Sequence, residues 1–152
     1  HLTMTTGLDY EVDDLDCTDP ECLNFKNSPG NNWFYHNATY TLLREVIENV
    51  SETSYNDFTD QKIKMKIGMN GNWVQSNYNN FYWSTARDMA RFGLLVLNKG
   101  VWDDEIILND ANYFSKMTNT SQEINTSYGY LWWLNGKNSL IPPGFTTLIP
   151  ML

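Results

Sequence analysis

The chain has 152 residues, with 18 acidic and 10 basic side chains and a net charge of −8. This length is sufficient for one domain with a hydrophobic core. The excess of acidic over basic side chains disfavours a nucleic-acid partner, because the negatively charged phosphate backbone would be repelled. The apolar runs are far too short to cross a bilayer, so no membrane-spanning segment is expected.

The N-terminal part of the chain predicts one short helical turn at residues 2–6 and then a long irregular loop at residues 9–33, rich in Asp, Asn, Pro and Gly. Residues 9–22 carry seven acidic side chains and no basic one. The main interpretation is a solvated loop. A calcium site is the alternative, although the glycine and distal glutamate of an EF-hand loop are missing.

Both cysteines, Cys17 and Cys22, lie in this acidic loop, with Pro20 between them. A local disulfide would indicate an oxidising compartment. The spacing leaves the pairing open, because it does not show whether the Cβ geometry permits a bond. Two cysteines without further ligands make a poor zinc site.

The triplet Tyr35-His36-Asn37 precedes a predicted helix. In an extended segment, side chains at i and i+2 point to the same side, so Tyr35 and Asn37 share one side and His36 turns outward. A phenol beside a carboxamide suits acyl-transfer chemistry. The simpler interpretation is a core tyrosine followed by an asparagine that caps the helix.

Three helices are predicted next, from the spacing of apolar residues and from their end signals. They cover about residues 39–50, about residues 55–66, where Gly68 ends the helix, and a segment from Thr85 to Lys99-Gly100. Thr85 and Asp88 form a plausible capping box for the third helix. Its predicted inner face consists of Ala86, Met89, Ala90, Gly93, Val96 and Leu97.

The remaining segments predict few strands. Residues 71–82 are expected to form a loop with one short strand, and residues 106–108 a short β segment. A helix is expected at residues 110–117 and an aromatic strand at residues 128–134, where Trp132 and Trp133 are either core or a substrate wall. The chain is therefore predicted to be helix-rich.

Four segments occur in an order that resembles the serine β-lactamase-like hydrolases. They are HLTMTTGL at residues 1–8, Tyr35-His36-Asn37 after the Pro29-Gly30 turn, TARDMARFG at residues 85–93 and SYGYLWW at residues 127–133. This group includes class C β-lactamases, penicillin-binding DD-peptidases, related esterases and 6-aminohexanoate-oligomer hydrolases. The resemblance implies an α/β (α+β) β-lactamase/DD-peptidase-like fold. The chain would supply mostly the helical lobe with a few short strands.

The family's nucleophile is the serine of a Ser-x-x-Lys motif, and its third element is a Lys/His-x-Gly triplet. No Ser-x-x-Lys motif is present: Ser84 precedes Arg87, which cannot act as a base. The candidate for the third element, Gly136-Lys137-Asn138, has the wrong order. The resemblance therefore implies that residues 1–152 are a partial domain, with the serine upstream of His1 and the third motif beyond Leu152. This piece alone is expected to be inactive.

By this resemblance, Tyr35 takes part in proton transfer and Asn37 holds the substrate amide or the lysine. No metal or organic cofactor is expected, and the substrate is a small-molecule or peptide-like amide or ester. The implied source is bacterial, and the implied location is periplasmic or secreted. The first alternative is a non-catalytic receptor on the same fold. The second is an aromatic-rich carbohydrate-binding module made mainly of strands.

Overall fold

The structure is a computed structural model that describes residues 1–151 and divides the chain into two compact units. The terminal unit comprises His1–Leu43 and Ser115–Leu152, and the central unit comprises Arg44–Phe114. Within the described residues, no helix is long and apolar enough to cross a membrane.

The terminal unit contains little regular structure. A 3₁₀ turn covers Pro20–Cys22, helix α1 covers Asn37–Thr41, and strands β5 (Ser139–Leu140) and β6 (Ile149–Pro150) pair antiparallel. Two helices cross the unit boundaries, α2 at Leu43–Ser51 and α6 at Ala111–Met117. A disulfide joins Cys17 and Cys22, which resolves the pairing that the spacing left open.

Aromatic rings form the core of the terminal unit. The buried side chains are Met4, Trp33, Tyr128 and Ile141, and Trp33 meets Tyr128 edge-on with ring centroids 5.3 Å apart. Edge-to-face contacts of this kind stabilise aromatic cores beyond their burial alone.

The backbone of the N-terminal segment packs closely against the loop that follows it. Met4 O accepts a hydrogen bond from Phe34 N at 3.1 Å. At Gly7, φ is +79° and an added Cβ would lie 2.2 Å from Asn27 O, so a side chain does not fit. The Thr-Thr-Gly segment is therefore fixed beside the chain that leads to Tyr35.

The central unit consists of helices and two β-hairpins. A continuous helical segment contains α3 (Tyr55–Thr59), a π-helical turn (Asp60–Lys64) and α4 (Met65–Ile67), and helix α5 covers Ala86–Leu97. Strand β1 (Asn72–Ser76) pairs antiparallel with β2 (Asn79–Trp83), and β3 (Val101–Trp102) with β4 (Glu105–Ile106). Ile67, Met69 and Leu95 form the buried core of this unit.

Helix ends with a local signal agree with the predictions. Gly68 ends α4 in the left-handed conformation, with φ of 63° and ψ of 34°. The Thr85 side chain caps α5 by accepting from Asp88 N at 3.2 Å, and its hydroxyl donates to Asp88 Oδ2 at 2.6 Å. The cap predicted at Thr85 is therefore confirmed, but the Asp88 side chain binds the Thr85 hydroxyl and Asn70 N instead of completing a capping box at the Thr85 N–H.

Several predictions from pattern were wrong. The predicted helix at residues 39–50 is two helices that meet at Leu42, and residues 71–82 form a two-stranded hairpin rather than one strand. The strand at residues 128–134 is absent: the chain turns back, Tyr128 bridges to Trp133, and Leu131 has φ of 60°. The strand-dominated alternative is also wrong, because helices account for most of the regular structure.

The predicted inner face of α5 was wrong in part. Leu95 is completely buried, and Phe92 packs against the central core, whereas Met89 and Leu97 are 48 % and 76 % exposed. The apolar stripe that predicted the inner face is mostly exposed, and the buried side of α5 carries Asp88 and Leu95.

Candidate active site

Tyr35 lies just before α1, and its ring is half-buried in the aromatic cluster of the terminal unit. The ring stacks on Trp133 with centroids 5.7 Å apart and meets Tyr128 edge-on at 6.2 Å. It also lies 6.0 Å from the Tyr40 ring. Trp133 is 39 % exposed, so this side of the cluster reaches solvent and Tyr35 is not sealed within the core.

The phenols of this group are neutral near pH 7, and burial opposes their ionisation further. It raises the pKa of the Tyr35 hydroxyl, and no cation of the described residues counteracts it. The pKa of Tyr40 is raised to about 12, mainly by burial and further by Tyr35 and the Asp16 carboxylate. Burial also raises the pKa of Tyr128. A phenolate at Tyr35 would therefore need a cation from elsewhere in the protein.

Asn37 is the first residue of α1, and its side chain is held by the acidic loop. Its Nδ2 donates to Asp16 Oδ1 at 2.5 Å. His36, rather than Asn37, occupies the N-cap position, so the helix-cap interpretation of Asn37 was wrong. With the donor end of the amide bound to Asp16, Asn37 Oδ1 is left as an acceptor.

His36 does not turn outward as predicted. Its side chain is only 2 % exposed, and its Nε2 lies 3.1 Å from Asp9 O. Burial lowers its pKa, which favours the neutral imidazole. The reason is that the acidic loop covers the side of the triplet that the alternation pattern assigned to solvent.

Tyr35 and Asn37 lie in one neighbourhood, linked through Tyr40 and Asp16. The Tyr35 ring contacts the Tyr40 ring, and the Asp16 carboxylate that binds Asn37 also acts on the Tyr40 hydroxyl. The catalytic roles of Tyr35 and Asn37 stay predictions.

Sequence reasoning missed three residues of this neighbourhood: Asp16, Tyr40 and Tyr128. Asp16 was one acid among seven in its loop, and no pattern distinguished it from the others. Tyr40 and Tyr128 reach Tyr35 from the next helix and from a segment more than 90 residues away. The sequence does single out Trp133, as either a core residue or part of a substrate wall.

An apolar cavity of about 250 Å³ lies in the central unit and includes neither Tyr35 nor Asn37. Its only charged lining residue, Lys64, is ion-paired with Asp60. In the part of the chain that the structure describes, no three acidic, histidine or cysteine side chains are grouped as a metal site. The candidate site is therefore the neighbourhood of Tyr35.

The sequence model of the beta-lactamase family matches residues 2–148, so the chain belongs to the beta-lactamase family. No curated protein sequence matches it. Two solved structures have a similar fold. One is a presumed beta-lactamase from Bacteroides dorei, with 15 % identity and a TM-score of 0.68 over 87 % of this chain and 50 % of that one.

The other is the octameric penicillin-binding protein homologue from Pyrococcus abyssi, with 20 % identity and a TM-score of 0.58 over 85 % of this chain and 41 % of that one. The chain thus spans about half the length of the structures it matches or less. The helices and short antiparallel strands fit part of an α/β fold, which confirms the predicted family and fold class.

Proposed function

We propose that the protein carrying this chain is a serine hydrolase that cleaves amide or ester bonds through an acyl-enzyme. Membership of the beta-lactamase family supports this assignment. The structural observation that carries it is the half-buried Tyr35, stacked on the partly exposed Trp133, with Asn37 in the same neighbourhood. Acyl transfer requires a proton-transfer group within reach of the nucleophile, and Tyr35 would be that group in this proposal.

In this proposal, the attacking serine and its lysine come from outside the 152 residues. A lysine ammonium placed near Tyr35 would lower the hydroxyl pKa that burial raises, because a cation favours the phenolate. Tyr35 would then accept the serine proton and return it to the leaving group. The same relay runs twice in one cycle, because in the hydrolysis step Tyr35 would take a proton from the attacking water and return it to the serine oxygen.

Asn37 would provide an acceptor beside these groups. Its Nδ2 is engaged by Asp16, which leaves Oδ1 to accept from the lysine ammonium or from a substrate N–H. Trp133 would form an apolar wall against the bound acyl group. This division of roles needs no metal or organic cofactor.

The proposed substrates are small amides or esters: a carboxylic ester, a short amide oligomer, a cell-wall peptide or a β-lactam. Aromatic residues form 14 % of the chain, and four of them surround Tyr35, which favours apolar esters or oligomers over a dedicated antibiotic substrate. We further propose a bacterial, periplasmic or secreted protein, in keeping with the Cys17–Cys22 disulfide.

The test is the rate at which a fluorophosphonate probe labels serine in the full-length protein. Tyr35→Phe should slow labelling by about 10²–10⁴-fold, the range typical of a lost acid–base group. Tyr113→Phe is the matched control, because that ring is 44 % exposed and lies outside the terminal unit. The control should label at the unsubstituted rate.

The outcomes separate the alternatives. Normal labelling of Tyr35→Phe would remove Tyr35 from the mechanism. A folded, unsubstituted protein that never labels, yet binds an amide or ester ligand, would contradict the hydrolase and support a non-catalytic receptor on the same fold.

A further inference from the structure

The acidic loop makes three hydrogen bonds to the Tyr-x-Asn triplet and to the residue after it. All three join positions more than 20 residues apart in the sequence, so they fix the loop against α1. They are His36 Nε2 with Asp9 O at 3.1 Å, Asn37 Nδ2 to Asp16 Oδ1 at 2.5 Å, and Ala38 N to Leu15 O at 3.0 Å.

Asp16 is the only one of these loop partners that acts through its side chain, and its backbone is fixed on both sides. Asp16 N donates to Asp14 Oδ1 at 2.8 Å, which forms a local turn. The next residue, Cys17, is 5 % exposed and bonded to Cys22. The Asp16 carboxylate therefore has a defined position opposite Asn37.

A carboxylate distinguishes the two ends of a carboxamide. The Asn37 amide presents a donor at Nδ2 and an acceptor at Oδ1, and it can exchange them by a half-turn about its terminal bond. The Asp16 carboxylate presents acceptor oxygens, so it binds Nδ2 and excludes the reversed amide. A neutral amide at position 16 would tolerate both orientations.

We propose that Asp16 is a positioning residue of the candidate active site, which holds the Asn37 amide with Oδ1 free to accept a proton donor. The acidic loop, which the Cys17–Cys22 disulfide closes, is then the element that orients the Tyr-x-Asn triplet. This inference rests on the proposed function, in which Asn37 Oδ1 accepts from the lysine or the substrate. Asp16 itself touches neither the substrate nor the reacting atoms.

Asp16→Asn is the decisive substitution, and Asp13→Asn is its control. Asp13 lies in the same loop, is exposed, and loses the same charge when substituted. In the full-length protein, Asp16→Asn should slow fluorophosphonate labelling on the order of tenfold to hundredfold, the effect of losing a charged hydrogen bond. Asp13→Asn should leave the rate unchanged, and equal rates for the two variants would overturn the inference.

A double-mutant cycle separates positioning from general loss of structure. If Asp16 acts through Asn37, Asp16→Asn should have little further effect on labelling in an Asn37→Ala background. An equally large effect in that background would contradict the inference. Near-UV circular dichroism of each variant checks that the aromatic cluster is intact.

A spectroscopic measurement tests the contact without using activity. In ¹⁵N-asparagine-labelled full-length protein, one Asn37 side-chain amide proton should resonate downfield, and Asp16→Asn should remove that shift. An unshifted Asn37 amide in the unsubstituted protein would overturn the inference. Failure of the unsubstituted protein to label would instead contradict the proposed hydrolase, while this amide signal would still report on Asp16.

Discussion

The terminal and central units are stabilised by different interactions. The central unit contains the longest regular α-helix, α5, and a hairpin of two five-residue strands. Both are built from contacts between near neighbours in sequence. The terminal unit has short elements only and is held by aromatic rings and hydrogen bonds between distant segments. The residues with candidate chemistry lie in the terminal unit. In this chain, the less regular region carries the site, and its geometry depends on long-range contacts.

Removing a central ring of the terminal unit should have the largest effect on stability. Trp33 is 2 % exposed and contacts Tyr35, Tyr128 and Trp133. Trp33→Ala should lower the free energy of unfolding by about 3–5 kcal/mol, through lost burial and the cavity left behind. Trp83→Ala is the control, because Trp83 is 68 % exposed.

Denaturant unfolding measures the size of this effect, and hydrogen exchange shows where it acts. Faster exchange mainly at residues 1–43 and 115–151 would support a separate aromatic core in the terminal unit. An equal loss of protection at residues 44–114 would break the comparison between the two units.

An aliphatic truncation in the central unit should have the next largest effect. Leu95 is completely buried in α5, and Leu97 in the same helix is 76 % exposed. Leu95→Ala should cost about 2–5 kcal/mol of unfolding free energy, whereas Leu97→Ala should change it by less than about 0.5 kcal/mol. A large loss of unfolding free energy in Leu97→Ala would mean that α5 buries the face that the sequence pattern predicted.

The helix cap should have a smaller effect that is confined to the central unit. Thr85→Ala removes the acceptor for Asp88 N and should lower the unfolding free energy by about 1 kcal/mol. Thr85→Ser keeps the hydroxyl and should restore most of that loss. Thermal unfolding of the three proteins, followed by circular dichroism, measures the difference, and an unrescued Thr85→Ser would contradict a capping role.

These contrasts explain what sequence could and could not predict. The helix end at Gly68 and the cap at Thr85 were predictable, because a left-handed helix end and a cap involve residues at most a few positions apart. The turn at Leu131 was not, because its φ of 60° is held by tertiary contacts such as Leu131 N to Leu2 O at 3.0 Å. Tyr35 and Asn37 were named from a motif, but Asp16 had no local signal.

Alkaline pH should reveal the last effect, a loss of stability that begins only near about pH 10. The folded protein raises the pKa of Tyr40 from 10.0 to about 12, so it holds this proton more tightly than the unfolded chain does. The resulting contribution to stability is complete below about pH 10 and is lost as the pH rises towards about 12. Tyr40→Phe should therefore flatten the decline in unfolding free energy across this range, whereas Tyr113→Phe should not, because that ring is 44 % exposed.

Denaturant titrations at several pH values measure the two slopes. Identical slopes for both variants would show that the Tyr40 hydroxyl is not buried, and the path from Tyr35 through Tyr40 and Asp16 to Asn37 would lose its support.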